Sequence, residues 1–228
     1  MRFEGSSRRN RLFATLGLAS VVSVGMWLVG AINNHSLNYW YLNLNLFLAW
    51  LPIIFAGWLI LSLRQRPWLS WRPLLLTVLW LGFLPNSFYL VTDFIHLQDV
   101  IRVNPLYYSI MFETFVVNGL LIGFLSLYLV HVQLLRRTSA RAAASLIGLT
   151  LLICSFAVYL GRDLRLTSFD LVANPVSVLF SATDPFVRPA SHIAAFTLTL
   201  AVFVFIGTFY FVAWQLLRNF HRPHEAQG

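Results

Sequence analysis

Long runs of apolar residues, separated by short polar segments, make up most of the chain. A helix needs roughly 20 mostly apolar residues to cross a bilayer, because the hydrocarbon is about 30 Å thick and each residue rises about 1.5 Å. Six runs meet this requirement: 12–32, 44–63, 74–97, 106–135, 142–161 and 193–217. The pattern predicts an all-α membrane protein with six transmembrane helices, in which residues 1–228 form a single polytopic transmembrane domain.

The third run contains a proline near its middle. Its first part, 74–84, is too short to span a bilayer, so the run must continue through Pro85 to reach the required length. Proline lacks an N–H group and its ring clashes with the preceding helical turn. We therefore expect the third transmembrane helix to be kinked at Pro85.

The fourth run carries signals of helix packing. Gly119 and Gly123 have the GxxxG spacing that favours close approach of two helices in a membrane. Asn118 lies beside them, and one hydrogen bond to another helix is enough to explain a polar residue at this depth. Both features predict that span four packs closely against its neighbours.

The segment between spans five and six, residues 162–192, is longer than most connections in compact proteins. It contains an apolar stretch at 175–180, and Thr167 or Ser168 provides a helix N-cap before Asp170. We expect short interfacial or re-entrant helices between spans five and six, covering whatever lies beneath them.

The arginines are distributed unevenly between the two sides of the predicted spans. Twelve of the 16 lie before span one, between spans two and three, between spans four and five, or after span six: Arg2, Arg8, Arg9, Arg11, Arg64, Arg66, Arg72, Arg136, Arg137, Arg141, Arg218 and Arg222. Six of the eight acids lie on the other side: Asp93, Asp99, Glu113, Asp163, Asp170 and Asp184. Because insertion retains arginine-rich segments in the cytoplasm, we expect a multi-pass membrane protein with both termini cytoplasmic.

Composition narrows the class of protein further. Hydrophobic residues make up 58% of the chain and charged residues 11%, whereas soluble domains carry about a quarter charged residues. This excludes a soluble enzyme, a disordered tail and a disulfide scaffold. The net charge of +8 does not indicate a nucleic-acid partner, because membrane topology already explains the arginine clusters. The single cysteine, Cys154, lies in an apolar run and is expected to pack as a small apolar residue.

Four polar side chains share one face of the helix that follows Pro85: Asn86, Tyr89, Asp93 and His96. At about 100° per residue they fall within an arc of roughly 80°. One interpretation is that Asn86 caps a helix restarting after the proline, while Asp93 and His96 lie in the outer headgroup region. The other interpretation is a water-filled cavity that opens outward, because hydrocarbon would make each of these groups costly.

Two arginines follow span five on the same outer side. Arg162 and Arg165 are three residues apart, so on a helix they share a face and form a pair of donors able to hold a carboxylate or phosphate bidentately. The alternative is an internal ion pair in which one of them neutralises Asp93 or Asp170. The two interpretations are compatible, because a pair that opens can receive a ligand.

Together these motifs resemble those of a known family. The matching positions are Phe83-Leu84-Pro85-Asn86, Tyr89, Thr92-Asp93, His96-Leu97, Gly161-Arg162, Arg165, Ser168 and Asp170. The pattern is similar to the bacterial multi-pass membrane family catalogued as domain of unknown function 1361, over most of the chain. The resemblance implies a polytopic inner-membrane protein and no assigned activity. The sequence departs from the family pattern at Ser87-Phe88, Leu166 and Phe169, which weakens any ring-stacking role there and leaves the charged positions intact.

Enzymatic chemistry has weaker support in the sequence. Asp93 and His96 have a helical spacing that could share a metal ion, with further ligands available from this set: Asp99, Glu113, Asp170 and His192. The chain contains no HExxH or paired-histidine motif, and two nearby arginines would repel a cation. Ser87 and Ser168 lack the GxSxG context of a nucleophile. We expect no metal and no cofactor.

These observations predict an outward-facing polar site formed by the third span, the end of the fifth span and the segment that follows it. Its ligand-binding residues are predicted to be Asn86, Tyr89, Asp93, His96, Arg162, Arg165, Ser168 and Asp170. The leading hypothesis is that the site binds, or helps to move, a small anionic ligand or lipid headgroup. One alternative is a membrane enzyme that acts on a lipid or lipid-linked substrate at the outer leaflet, with Asp93 and His96 as acid and base. The other is a structural accessory subunit of a membrane complex. The lipid bilayer is the one partner that the sequence itself identifies.

Overall fold

The structure is a computed structural model that describes residues 3–92, 105–163 and 173–219. These residues form seven α-helices and contain no strand. The helices are α1 (Phe3–Asn33), α2 (Trp40–Ser62), α3 (Trp71–Tyr89), α4 (Pro105–Leu135), α5 (Ala140–Asp163), α6 (Pro175–Val187) and α7 (Ile193–Asn219). A 3₁₀ turn at residues 90–92 follows α3, and another at Pro189–Ser191 joins α6 to α7. The prediction of an all-α fold is confirmed.

Six of the seven helices are long and apolar enough to cross a membrane: Asn10–Asn33, Trp40–Ser62, Trp71–Thr92, Pro105–Leu135, Ala140–Arg162 and Ile193–Leu216. They coincide with the six predicted spans, so the multi-pass prediction is confirmed. The third span is described as far as Thr92, and its remaining predicted residues, 93–97, lie outside the described residues. Pro85 lies inside α3, which continues past it to Tyr89, and the kink itself stays a prediction.

The fourth helix occupies the centre of the bundle. It packs against α1, α2, α3, α5 and α7, whereas α1 contacts mainly α4 and leaves most of its surface exposed. Buried aromatic side chains of α4, among them Phe112 and Phe115, fill the space between it and α2. A helix that is apolar on all sides suits this central position, because every face of it meets another apolar surface.

Helix α4 approaches α3 closely at its two glycines. A β-carbon added at Gly119 would lie 2.9 Å from the backbone oxygen of Ser87 and would also meet the side chain of Leu90. A β-carbon at Gly123 would lie 2.8 Å from Cβ of Ser87 and 3.0 Å from the ring of Phe88. The close packing predicted from the GxxxG spacing is confirmed, and it holds the last two turns of α3 against the centre of α4.

Hydrogen bonds between helices satisfy several polar groups inside the bundle. The Ser20 hydroxyl of α1 accepts from Asn118 Nδ2 at 2.9 Å and from Trp50 Nε1 at 3.0 Å. Trp80 Nε1 donates to the hydroxyl of Ser126 at 2.9 Å. The expected hydrogen bond from Asn118 to another helix is therefore present, and these contacts link α1, α2, α3 and α4.

The short helix α6 lies beside the ends of α5 and α7. The ring of Phe186 is 5.5 Å from that of Phe156 in α5 and 5.9 Å from that of Phe196 in α7, measured between centroids. His192 Nε2 lies 2.9 Å from Asp184 Oδ2, which connects α6 to the start of α7. The presence of a short helix between spans five and six is confirmed. Its interfacial or re-entrant placement stays a prediction.

The bundle has two chemically different ends. The arginine-rich end comprises the connections 63–70 and 136–139, which contact each other through Arg137 and Leu63. The opposite end comprises the connection 34–39, the end of α3 and the end of α5, which meet through Arg162 and Thr92. Because consecutive helices run in opposite directions, alternate connections fall at the same end.

Candidate functional site

The end of α3 forms one wall of the candidate site. Asn86 is half-buried and lies within the helix, where its Nδ2 donates to the carbonyl oxygen of Phe83 at 3.0 Å. The helix therefore does not restart at Asn86, as the capping interpretation required. Tyr89 is also half-buried, and its carbonyl accepts a hydrogen bond of 2.7 Å from the hydroxyl of Thr92. The backbone tightens into a 3₁₀ turn over residues 90–92, so the carbonyl of Thr92 lies at the tip of the span.

The end of α5 contributes the positive charge. Arg162 is half-buried in the last turn of α5, and its Nη1 donates to the carbonyl oxygen of Thr92 at 2.8 Å. Carbonyls at the carboxyl end of a helix have no partner within that helix and carry partial negative charge, so they are good acceptors for a guanidinium. This hydrogen bond joins the third and fifth spans at the end where the sequence predicts the site.

Arg162 has no acidic partner among the side chains that the structure describes. The acids whose side chains the structure describes are Glu113 and Asp184, and neither lies within 4.0 Å of Arg162. Asp184 instead pairs with His192. A guanidinium has five N–H donors, and among the described residues Arg162 uses one of them, in the hydrogen bond to Thr92.

The structure describes three of the eight predicted site residues: Asn86, Tyr89 and Arg162. It places Arg162 in contact with Thr92, which follows Asn86 and Tyr89 in the chain. The other five, Asp93, His96, Arg165, Ser168 and Asp170, lie outside the described residues. The backbone oxygen of Thr92 is a functional group of this site that sequence reasoning missed, since a pattern of side chains carries no signal of which carbonyl lacks a partner.

Other candidate chemistry finds little support in the described part of the chain. No three His, Cys, Asp or Glu side chains lie together as a metal site within residues 3–92, 105–163 and 173–219. The hydroxyl of Ser87 is buried and donates to the carbonyl oxygen of Ala49 at 3.2 Å, so it serves helix packing. Cys154 is fully buried in the core between α5 and its neighbours, and its predicted role as a small apolar residue is confirmed.

Comparison with known proteins yields one finding. A family model described as "Protein of unknown function (DUF1361)" matches residues 44–212, a stretch that runs from α2 into α7 and includes all three described site residues. Searches of curated proteins and of solved structures return no match.

Proposed function

This chain belongs to the DUF1361 family of proteins of unknown function, and on that premise we propose that it is a membrane protein that binds an anionic group where α3 and α5 meet. The observation that carries the proposal is the hydrogen bond from Arg162 to Thr92. It places a half-buried guanidinium at the tip of an apolar span, where a cation is costly unless an anion accompanies it.

The surrounding residues suit an anionic ligand. Arg162 and Arg165 would hold a phosphate or carboxylate through their N–H donors, because guanidinium and these anions match in geometry. Asn86, Tyr89, His96 and Ser168 would donate hydrogen bonds to the anion. The carboxylates of Asp93 and Asp170 would accept hydrogen bonds from the arginines and hold them in place. A small anionic solute and a lipid headgroup both offer this chemistry. The part of α3 before Pro85 is largely apolar, which favours binding over transport through the bundle.

We propose the inner membrane of a bacterium as the location, with the arginine-rich end and both termini in the cytoplasm. The resemblance to a bacterial membrane family supports the location, and the bias of arginines toward one end of the bundle supports the orientation. Single cysteines test the orientation, because the native Cys154 is buried. A membrane-impermeant maleimide is expected to label Ser191→Cys in intact cells and Gln65→Cys only after permeabilisation, both positions being exposed. The reverse labelling pattern would overturn the orientation.

Ligand binding is tested by thermal unfolding of the purified full-length protein in detergent. Inorganic phosphate serves as the probe for a free anion and glycerol 3-phosphate as the probe for a headgroup. A ligand at about 100 times its Kd stabilises a protein by about 2.7 kcal/mol, so the wild type is expected to show a clear rise in Tm with at least one probe. The rise should disappear in Arg162→Gln and recover in part in Arg162→Lys.

Arg188→Gln is the matched control. Arg188 is an exposed arginine just after α6 at the same end of the bundle, and its loss removes the same charge without touching the contact with Thr92. Binding that falls equally in Arg162→Gln and Arg188→Gln would reflect net charge alone and would contradict the proposal.

The same hydrogen bond favours a second candidate function, that of an accessory subunit with a purely structural polar network. The contact between Arg162 and Thr92 is complete without a ligand, and it ties two spans together. Under this function neither probe would raise the Tm of the wild type, and Arg162→Gln would lower the Tm by the same amount with and without phosphate.

A further inference from the structure

A second basic cluster lies at the arginine-rich end, and one of its arginines, Arg137, forms hydrogen bonds with two residues. Arg137 Nη1 donates to the Gln133 side-chain oxygen at 2.8 Å and to the Gln133 carbonyl at 3.2 Å, and Nη2 donates to the Leu63 carbonyl at 3.0 Å. Its guanidinium also lies over the ring of Trp68, 5.9 Å from the centroid. Arg137 therefore clamps the end of α4 to the end of α2.

A cavity of about 340 Å³ opens beside this clamp. Its lining consists of Ile60, Arg64, Gln133, Arg136 and Arg137. The volume falls within the range of about 300–1,000 Å³ that is typical of small-molecule sites. Three guanidinium groups therefore surround one recess between the ends of two membrane-spanning helices.

No acidic residue is available in the connections that form this recess. Residues 63–70 and 136–139 contain four arginines and no Asp or Glu. Like charges held around one recess repel each other, and no side chain of these two connections can neutralise them. The recess therefore offers positive charge without an acid from either connection, and phosphate is the anion whose geometry matches guanidinium groups.

We infer that this cavity binds the phosphate headgroup of an anionic phospholipid from the adjacent leaflet. The position favours a lipid over a soluble phosphate, because the recess lies at the ends of α2 and α4 and has Ile60 on its wall. The next residue of α2, Leu61, is 56% exposed toward the surroundings of the bundle. A lipid can place its headgroup among the arginines while its acyl chains lie along this apolar surface. This site is at the other end of the bundle from Arg162 and does not depend on the function proposed there.

The test is native mass spectrometry of the full-length protein in detergent, titrated with dioleoyl phosphatidylglycerol or, as a neutral lipid, dioleoyl phosphatidylcholine. The variant is Arg64→Gln combined with Arg136→Gln, which removes two lining charges and spares the clamp formed by Arg137. The matched control is Arg66→Gln combined with Arg141→Gln, two exposed arginines at the same end that do not line the cavity. Both variants have the same net charge.

Phosphatidylglycerol is expected to bind the wild type more tightly than phosphatidylcholine does. Two lost basic contacts should weaken the binding of phosphatidylglycerol by about tenfold or more in the lining variant, and by less than about twofold in the control. Equal weakening in both variants, or equal binding of both lipids, would overturn the inference. Complete competition by millimolar inorganic phosphate would also overturn it, because the site would then belong to a soluble anion. Arg162→Gln run in parallel reports on the other site alone, so failure of either proposal can be recognised separately.

Discussion

Each end of the bundle contains an arginine that donates a hydrogen bond to a backbone carbonyl at the end of a neighbouring helix. At one end Arg162 of α5 donates to Thr92 after α3, and at the other Arg137 after α4 donates to Leu63 after α2. The carbonyls in the last turn of a helix lack partners within it, so a long cationic side chain from another helix can satisfy them. The same kind of hydrogen bond therefore joins α5 to α3 at one end and α4 to α2 at the other.

The surroundings of the two arginines differ. Arg137 is held by three hydrogen bonds and stands beside two further arginines, with no acid in either connection. Arg162 has one hydrogen bond to a described residue. Asp163 and Asp170 follow it in the chain, and Asp93 follows its acceptor Thr92. The anion proposed for the arginine-rich end has no acidic competitor within the two connections. At the opposite end an internal ion pair would compete with the proposed ligand for the same guanidinium.

The largest effect is expected from Gly119→Ala, which disturbs one end of the bundle more than the other. The new β-carbon would lie 2.9 Å from the Ser87 carbonyl oxygen and push α3 away from α4. We expect a loss of about 1–3 kcal/mol in stability, the usual cost of overpacking, together with weaker phosphate binding at the Arg162 end.

Gly207→Ala is the control for this prediction, because a β-carbon there meets nothing within 4 Å. Both variants are compared by thermal unfolding in detergent, and phosphatidylglycerol binding at the arginine-rich end should survive in both. If Gly119→Ala unfolds at the temperature of Gly207→Ala, the contact between α3 and α4 does not set the position of Thr92.

The next largest effect is expected from Arg137→Gln, which breaks three hydrogen bonds where Arg162→Gln breaks one. Because solvent screens both sites in part, we expect losses of about 2 kcal/mol for Arg137→Gln and about 1 kcal/mol for Arg162→Gln. Thermal unfolding of both variants, with the exposed Arg141→Gln as the charge control, shows which substitution lowers the stability more. A larger loss in Arg162→Gln would mean that the opposite end carries the stronger clamp.

A smaller effect is expected from a double-mutant comparison, which tests whether Arg162 forms an ion pair with Asp93 or is available to a ligand. Stability is measured for Asp93→Asn, for Arg162→Gln and for the double variant. For a ligand site we expect the two single effects to add within about 0.5 kcal/mol. A double variant that is about 1 kcal/mol or more better than the sum of the single variants would identify a closed internal pair.

The smallest effect is expected from Asp184→Asn. This acid belongs to the same end as Arg162, but it pairs with His192 at a partly exposed position. Surface pairs of this kind contribute about 0–1 kcal/mol, so we expect a small change in Tm and unchanged phosphate binding by Arg162. Loss of the phosphate-induced Tm rise would show that Asp184 belongs to the site after all.

Much of the fold follows from the chain without its structure. The six spans, the short helix before span six and the close packing at Gly119 and Gly123 were all predictable, because each depends on local composition or spacing. The candidate site was predictable only as a set of side chains that shared one face or one segment. The acceptor that Arg162 meets is a backbone oxygen, and nothing in the order of side chains singles out that carbonyl.

The basic cavity was likewise predictable only in part: the sequence shows its arginines but not that they surround one recess. Arg64 and Arg136 are visible in the sequence, where they count only as part of the arginine bias that predicts the orientation of the spans. Their position around one recess depends on the packing of α2 against α4 and on the clamp of Arg137. Hydropathy decides how many helices enter a membrane, because the cost of exposing polar groups to lipid acts on each segment separately. Which helix ends become neighbours depends on side-chain packing between distant segments, and that is why the residues of both proposed anion sites come together only in the folded bundle.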